Sequence, residues 1–194
     1  MTQMLRADAQ DNRDRALEAA RGLFAEHGID VPMREIARVA EIGPATLYRR
    51  FPTKRDLIEA AFAQELGECR AIVVDGCADP DPWRGLRSVI ERITLLNGRN
   101  HGFVEAFLSS STEAAELHRH RAELLRLVAG LARRAQAAGG LRSDFAVDDL
   151  LFVLLAGRVL SSAPLEKRPA AARRFAALAI DALRASDAHE SLPA

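Results

Sequence analysis

Six cationic side chains, Arg34, Arg38, Arg49, Arg50, Lys54 and Arg55, fall in one short stretch whose only acids are Glu35 and Glu41, a local charge of +4. The whole chain carries 27 basic and 27 acidic residues and no net charge. The cluster is therefore a small, placed footprint. Guanidinium and ammonium groups at that density suit contact with phosphate oxygens, where released counterions drive binding. A neutral remainder argues against a protein that simply coats nucleic acid.

No other constellation has the spacing that chemistry needs. Beyond residue 70 there is no glycine-rich phosphate loop, no G-x-S-x-G and no H-E-x-x-H, so neither an enzyme activity nor a cofactor is expected. Glu116 and His120 stand four apart and could share a metal. His118 and His120, two apart on a helix, point in different directions, and a solvated polar face is the expected role, with no metal. Cys69 and Cys77 have no second pair, which excludes a disulfide framework or a zinc ribbon and leaves two reduced thiols. The opening MTQMLRADAQDNRDR lacks the apolar stretch of a signal peptide, and the longest apolar run, Leu150 to Ala156, is too short to cross a bilayer. A cytoplasmic protein is expected.

The elements that position the basic cluster are helical. With 48% apolar residues over 194 positions the chain can bury a sizeable core, and its periodicity is helical almost throughout. The pattern predicts an all-α fold of about nine helices. The first runs from about Arg13 to His27, with Asp11 or Asn12 as a cap and Gly28 as a stop. The second covers about Met33 to Ala40 behind Pro32, and the third Pro44 to about Arg50, closed by Phe51-Pro52. Thr53 caps the fourth, with Asp56 as its acidic partner. Gly76 to Pro82 is expected as a loop. Further helices are expected over about Trp83 to Leu96, Gly102 to Ser109, Thr112 to Ala138, Val147 to Ser162 and Pro169 to Ala185. Ser109 to Ser111 is expected as a helix end and cap, and Ser186 to Ala194 as a loose tail. Two short helices joined by a tight turn, the second one basic, suit a helix laid in the major groove of DNA.

The wording of residues 13 to 62 is more specific. RDRALEAARGLFAEHG, MREIARVAEIGPATLYRRF and PTKRDLIEAAF resemble the N-terminal domain of the tetracycline-repressor (TetR) family of transcriptional regulators. The resemblance implies a three-helix DNA-binding domain with a helix-turn-helix over residues 1–55, followed by a larger helical effector-binding and dimerisation domain over 56–194. It implies DNA contact by Arg34, Pro44, Ala45, Thr46, Tyr48, Arg49 and Lys54, with Leu47 turned inward. Arg34 suits a guanine edge or a phosphate, Pro44 and Ala45 thymine methyls, Thr46 and Tyr48 phosphates, and Lys54 a phosphate at a helix start. Arg49 suits either a base or a phosphate. Three positions depart from the family's habit: Glu41 stands where glycine is usual in the turn, Gly43 where serine or threonine opens the third helix, and Pro32 where a capping hydroxyl is common.

For the rest of the chain the resemblance implies a small effector between helices and a homodimer. Apolar residues that suit a pocket are Phe62, Leu66, Trp83, Ile90, Phe103, Phe107, Leu124 and Val128, each equally suited to plain core. His101 or Asn97 would supply a polar anchor for a hydrophobic effector. Leu151, Leu154 and Leu155, with Phe175, Leu178 and Leu183, suit a bundle with a second copy or an intrachain core. A dimer would carry two reading helices to successive major grooves of a palindromic operator. The function expected is a ligand-responsive regulator, a repressor released from DNA by its effector, with no membrane partner.

Overall fold

The computed structural model describes residues 2–99, 101–108, 112–158, 164 and 166–192, without the side chains of 2–9, 99, 101, 105, 108, 113, 154, 155, 157 and 158. Among the described residues there are nine α-helices and no strand: α1 Thr2–His27, α2 Met33–Val39, α3 Pro44–Arg50, α4 Lys54–Ala78, α5 Pro82–Arg99, α6 His101–Leu108, α7 Ala115–Ala137, α8 Val147–Arg158 and α9 Arg168–Leu183. A 3-10 turn, Thr112–Ala114, precedes α7. No described helix is long and apolar enough to cross a membrane. The expected cap at Ser109 to Ser111 and the last turn of α8 beyond Arg158 lie outside the described residues. So do the side chains of His101, Leu154 and Leu155. The helices form two compact units, Met1–Leu66 with Gly102–Arg119, and Gly67–His101 with His120–Ala194.

In the first unit, apolar residues three and four apart give each helix one buried face. Leu17, Ala20 and Phe24 of α1 close on Ile36 and Ala37 of α2, Leu47 of α3, and Leu57, Ile58 and Phe62 of α4. Phe24, Phe62, Phe103 and Phe107 form a continuous row, with ring centroids 6.0, 5.8 and 5.3 Å apart. These spacings are typical of tilted aromatic pairs. Arg21 Nε donates to the Ala61 carbonyl over 2.7 Å, which ties α1 to α4.

Helix α1 begins about three turns before the expected start at Arg13. Asp11 and Asn12 do not cap it; they lie inside it, where Asp11 pairs with Arg15 at 3.2 Å and Asn12 accepts from Arg15 at 2.7 Å. Helix-compatible residues and these i,i+3 and i,i+4 contacts extend the helix without an apolar face, the signal on which the shorter reading relied.

The second unit is built on α5, which packs on α8 and α9. Gly76, Cys77 and Ala78 continue α4 instead of forming a loop, so only residues 79–81 connect it to α5. The glycine is there for contact: Gly76 and Gly85 meet so closely that neither could carry a Cβ. Asp81 starts α5 by accepting from the amides of Trp83 and Arg84 at 3.0 and 3.1 Å, with Pro82 in the first turn. Arg134 closes the end of α4 by donating to the Cys77 and Asp79 carbonyls at 2.9 and 3.1 Å. Neither cysteine is in a disulfide, and burial pushes the Cys77 thiol above its ordinary pKa.

The tail is not loose through Leu192. Arg142 donates to both carboxylate oxygens of Asp144 at 2.6 and 3.0 Å, to the Ala182 carbonyl at 3.2 Å and to the Glu190 carbonyl at 2.6 Å. Asp144 in turn accepts from the Leu192 amide at 2.8 Å. Polar composition suggested a free end; a guanidinium fork after α7 makes it an anchored one.

Candidate DNA interface

The turn between α2 and α3 is fixed by its backbone. The Glu41 amide donates to the Arg38 carbonyl at 3.2 Å and the Ile42 amide to the Ala37 carbonyl at 3.0 Å, the paired bonds of a Schellman helix end. That geometry needs a left-handed residue, and Glu41 supplies it at φ +54°, the one non-glycine positive φ among the described residues. Gly43, extended at φ −66° and ψ 141°, then opens α3 without any side-chain cap. Its carbonyl accepts from the Thr46 and Leu47 amides at 2.9 and 3.1 Å.

Leu47 is the only buried residue of α3. It anchors the helix to the first unit's core and leaves the opposite side outward: Pro44, Ala45, Arg49 and Arg50 are exposed, Thr46 is half-buried, and Tyr48 is 50% exposed although aromatic. Arg49 donates to the Thr46 hydroxyl at 3.1 Å, so these two polar groups already share one patch. Arg34 is exposed in the first turn of α2. Lys54 is half-buried at the start of α4. There Thr53 and Asp56 form a reciprocal capping box: the Thr53 amide donates to Asp56 at 2.9 Å and the Asp56 amide to the Thr53 hydroxyl at 3.1 Å.

Not every cation of the cluster is available. Arg38 donates twice to Glu35, at 3.0 and 2.6 Å, and this bond holds the Glu35 carboxyl below its ordinary range. The pair cancels itself and leaves the net local charge unchanged. Its i,i+3 spacing was the signal that could have removed Arg38 from the phosphate-binding set. Arg55 reaches the Thr112 carbonyl at 3.4 Å.

The pocket candidates fall in both compact units. Phe62, Leu66, Phe103 and Phe107 belong to the first; Trp83, Ile90, Leu124 and Val128 belong to the second. Phe62, Phe103, Ile90, Leu124 and Val128 are buried, while Leu66, Trp83 and Phe107 are half-buried. Trp83 lies against Gly140, which has no room for a Cβ there, so its ring serves the turn after α7. Of the bundle candidates, Leu178 is 63% exposed, Leu151 and Phe175 are half-buried, and Leu183 is buried within its own chain. Phe152, outside that set, is 65% exposed. Among the described residues no group of three His, Cys, Asp or Glu could hold a metal.

A short helix whose single buried leucine seats it on two others, with its polar side outward beside exposed arginines, defines a helix-turn-helix protein. Residues 16–61 match the family model for bacterial regulatory proteins of the tetR family, and residues 81–185 match the C-terminal domain of SbtR-like transcriptional regulators. Over 63 residues the chain is 41% identical to an HTH-type transcriptional regulator of Staphylococcus aureus strain USA300, a match covering 32% of this chain and 34% of that protein. The TetR transcriptional regulator SCO0520 from Streptomyces coelicolor is 31% identical, with a TM-score of 0.56, over 90% of this chain and 99% of that one. The ketosteroid transcriptional regulator KstR2 of Mycobacterium tuberculosis shares the fold at 20% identity and a TM-score of 0.68, over 90% and 95% of the two chains. The chain belongs to the TetR family of transcriptional regulators.

Proposed function

We propose that the protein is a ligand-responsive repressor that binds a palindromic operator as a homodimer and is released by a small, hydrophobic effector. Residues 1–55 read DNA, and residues 56–194 bind the effector and the second copy. The observation that carries the reading is α3, which buries Leu47 alone and turns Tyr48 and Arg49 outward. Pro44 and Ala45 meet thymine methyls, Thr46 and Tyr48 hold phosphates, Arg49 a phosphate or a base, and Arg34 a guanine edge. Lys54 clamps a phosphate at the start of α4. Exposed Phe152 and Leu178 support pairing through α8 and α9, since large apolar side chains left in water mark an interface. Effector and operator then weaken each other's binding by the same factor.

The test is selection of genomic fragments by the purified protein at moderate salt, followed by footprinting. A protected palindrome, lost when the effector is added, is the expected result. A folded, dimeric protein that enriches no fragment with or without cell extract would overturn the reading.

A further inference from the structure

Glu41, the residue held in a left-handed conformation at the turn, lines a groove within the first compact unit. One wall is a stripe of α1, Glu18, Ala19, Gly22, Leu23 and Glu26, spaced three and four apart. The other is Val39, Ala40 and Glu41, at and just beyond the end of α2. The groove measures about 380 Å³. Its floor is apolar, with Val39 43% exposed, and three exposed carboxylates, Glu18, Glu26 and Glu41, stand around it. Arg15, the one cation of the lining, pairs with Asp11 and Asn12 along its own helix.

Two of these residues weaken the fold they belong to. Glycine would relax the turn at Glu41. Almost any other residue would strengthen α1 at Gly22, where nothing lies within 4 Å of the place a Cβ would occupy. Both line the groove: Gly22 opens the floor to close approach, and Glu41 adds charge to the rim. Departures from local rules that converge on one surface point to a use outside the chain. Charge then decides the user. Three carboxylates against one guanidinium leave the lining at −2, which repels phosphate and attracts cations. Glu18 and Glu26, two turns apart on α1, are separated by about 12 Å, a span that no single ammonium bridges. A helix does, when it carries a lysine or arginine on each turn and lays a leucine stripe between them on Leu23 and Val39.

We propose that this groove docks a basic amphipathic helix of a partner protein. Glu41 lies three residues before Pro44, where α3 begins, so the partner sits next to the operator. Proteins that occupy neighbouring DNA carry basic segments of this kind for their own phosphate contacts. The placement beside DNA rests on the reading of residues 1–55 as the DNA-reading part; the chemistry of the groove does not.

The probe is a fluorescein-labelled peptide of alanine and leucine with a lysine or arginine on each helical turn. It is titrated with the full chain at physiological salt, without DNA, and followed by anisotropy. The peptide should bind; its counterparts with glutamate at each cation, or alanine at each leucine, should bind far more weakly. Glu18→Gln combined with Glu26→Gln should weaken the peptide about tenfold and leave operator affinity no lower. Gly22→Leu should raise Tm by about 2–3 °C and abolish peptide binding, a combination that a purely structural glycine would not give. Unchanged binding in these variants, or equal binding of either control peptide, would overturn the proposal. Spermidine competing as strongly as unlabelled peptide would also do so, by making the groove a polyamine site. So would a lower Tm for Gly22→Leu, or loss of operator binding in the double variant, which would make the rim part of the DNA interface. Peptide binding by a protein that enriches no operator defeats the regulator reading and spares the groove; operator binding without peptide binding does the reverse.

Discussion

Glu41 occupies a left-handed turn position at φ +54° with a side chain that makes that conformation costly, by roughly 1–2 kcal/mol. Glycine there would remove the strain and return part of the gain through a freer unfolded chain. Glu41→Gly should therefore stabilise the protein by about 0.5–1 kcal/mol, read as a higher urea midpoint at unchanged slope. In the proposed interface Arg34 and Lys54 have different roles. Arg34→Ala should relax specificity at one base pair, whereas Lys54→Ala should weaken binding to every sequence alike and flatten the salt dependence by about one unit. Equal losses on all sites for both variants would remove Arg34 from base reading. At this scale the candidate interface was legible because motif and charge coincide over residues 33–55, and the strain at Glu41 was legible from its place in the turn. The Arg38–Glu35 pair was within reach of its i,i+3 spacing but was not read from it.

Helices were legible wherever an apolar face and a stop signal agreed. Residues 44 to 50 lie between Gly43 and Phe51-Pro52, and α3 has those bounds. Boundaries failed where one signal stood alone. Glycines and prolines from Gly76 to Pro82 read as a loop, yet Gly76 serves a close helix crossing and Pro82 a helix start. The anchored tail escaped notice because its partner, Arg142, is distant in sequence. Its response to pH has a definite sign. Arg142, then the Leu192 amide, hold the Asp144 carboxyl well below its ordinary value of 3.8. A depressed pKa contributes stability that is complete above the unfolded value and lost as pH falls through the folded one. Protection of the Leu192 amide, its exchange measured against the intrinsic rate at each pH, should thus hold from neutrality down to about pH 4 and fall only in stronger acid. In Asp144→Asn the protection should be lower and independent of pH over this range.

For the whole molecule the decisive surface is the apolar pair Phe152 and Leu178, 65% and 63% exposed. In the proposed dimer a second copy covers them, whereas Leu183, on the same helix as Leu178, is buried in its own chain. Leu178→Asp should yield a folded monomer by sedimentation, and its operator affinity should fall by about a hundredfold or more as the two half-sites cease to be held together. The clamp at Arg142 bears on a different property, time. Its bonds to Ala182 and Glu190 join residues 40 and 48 positions apart. We expect this clamp on the C-terminal segment to form after the folding barrier, and interactions absent at the barrier govern escape from the native state. Arg142→Lys, which keeps the charge and loses the fork, should leave the refolding rate unchanged and steepen the loss of native protein with time. On that prediction Arg142 governs the lifetime of the fold, and with it how long a regulator made once stays in service.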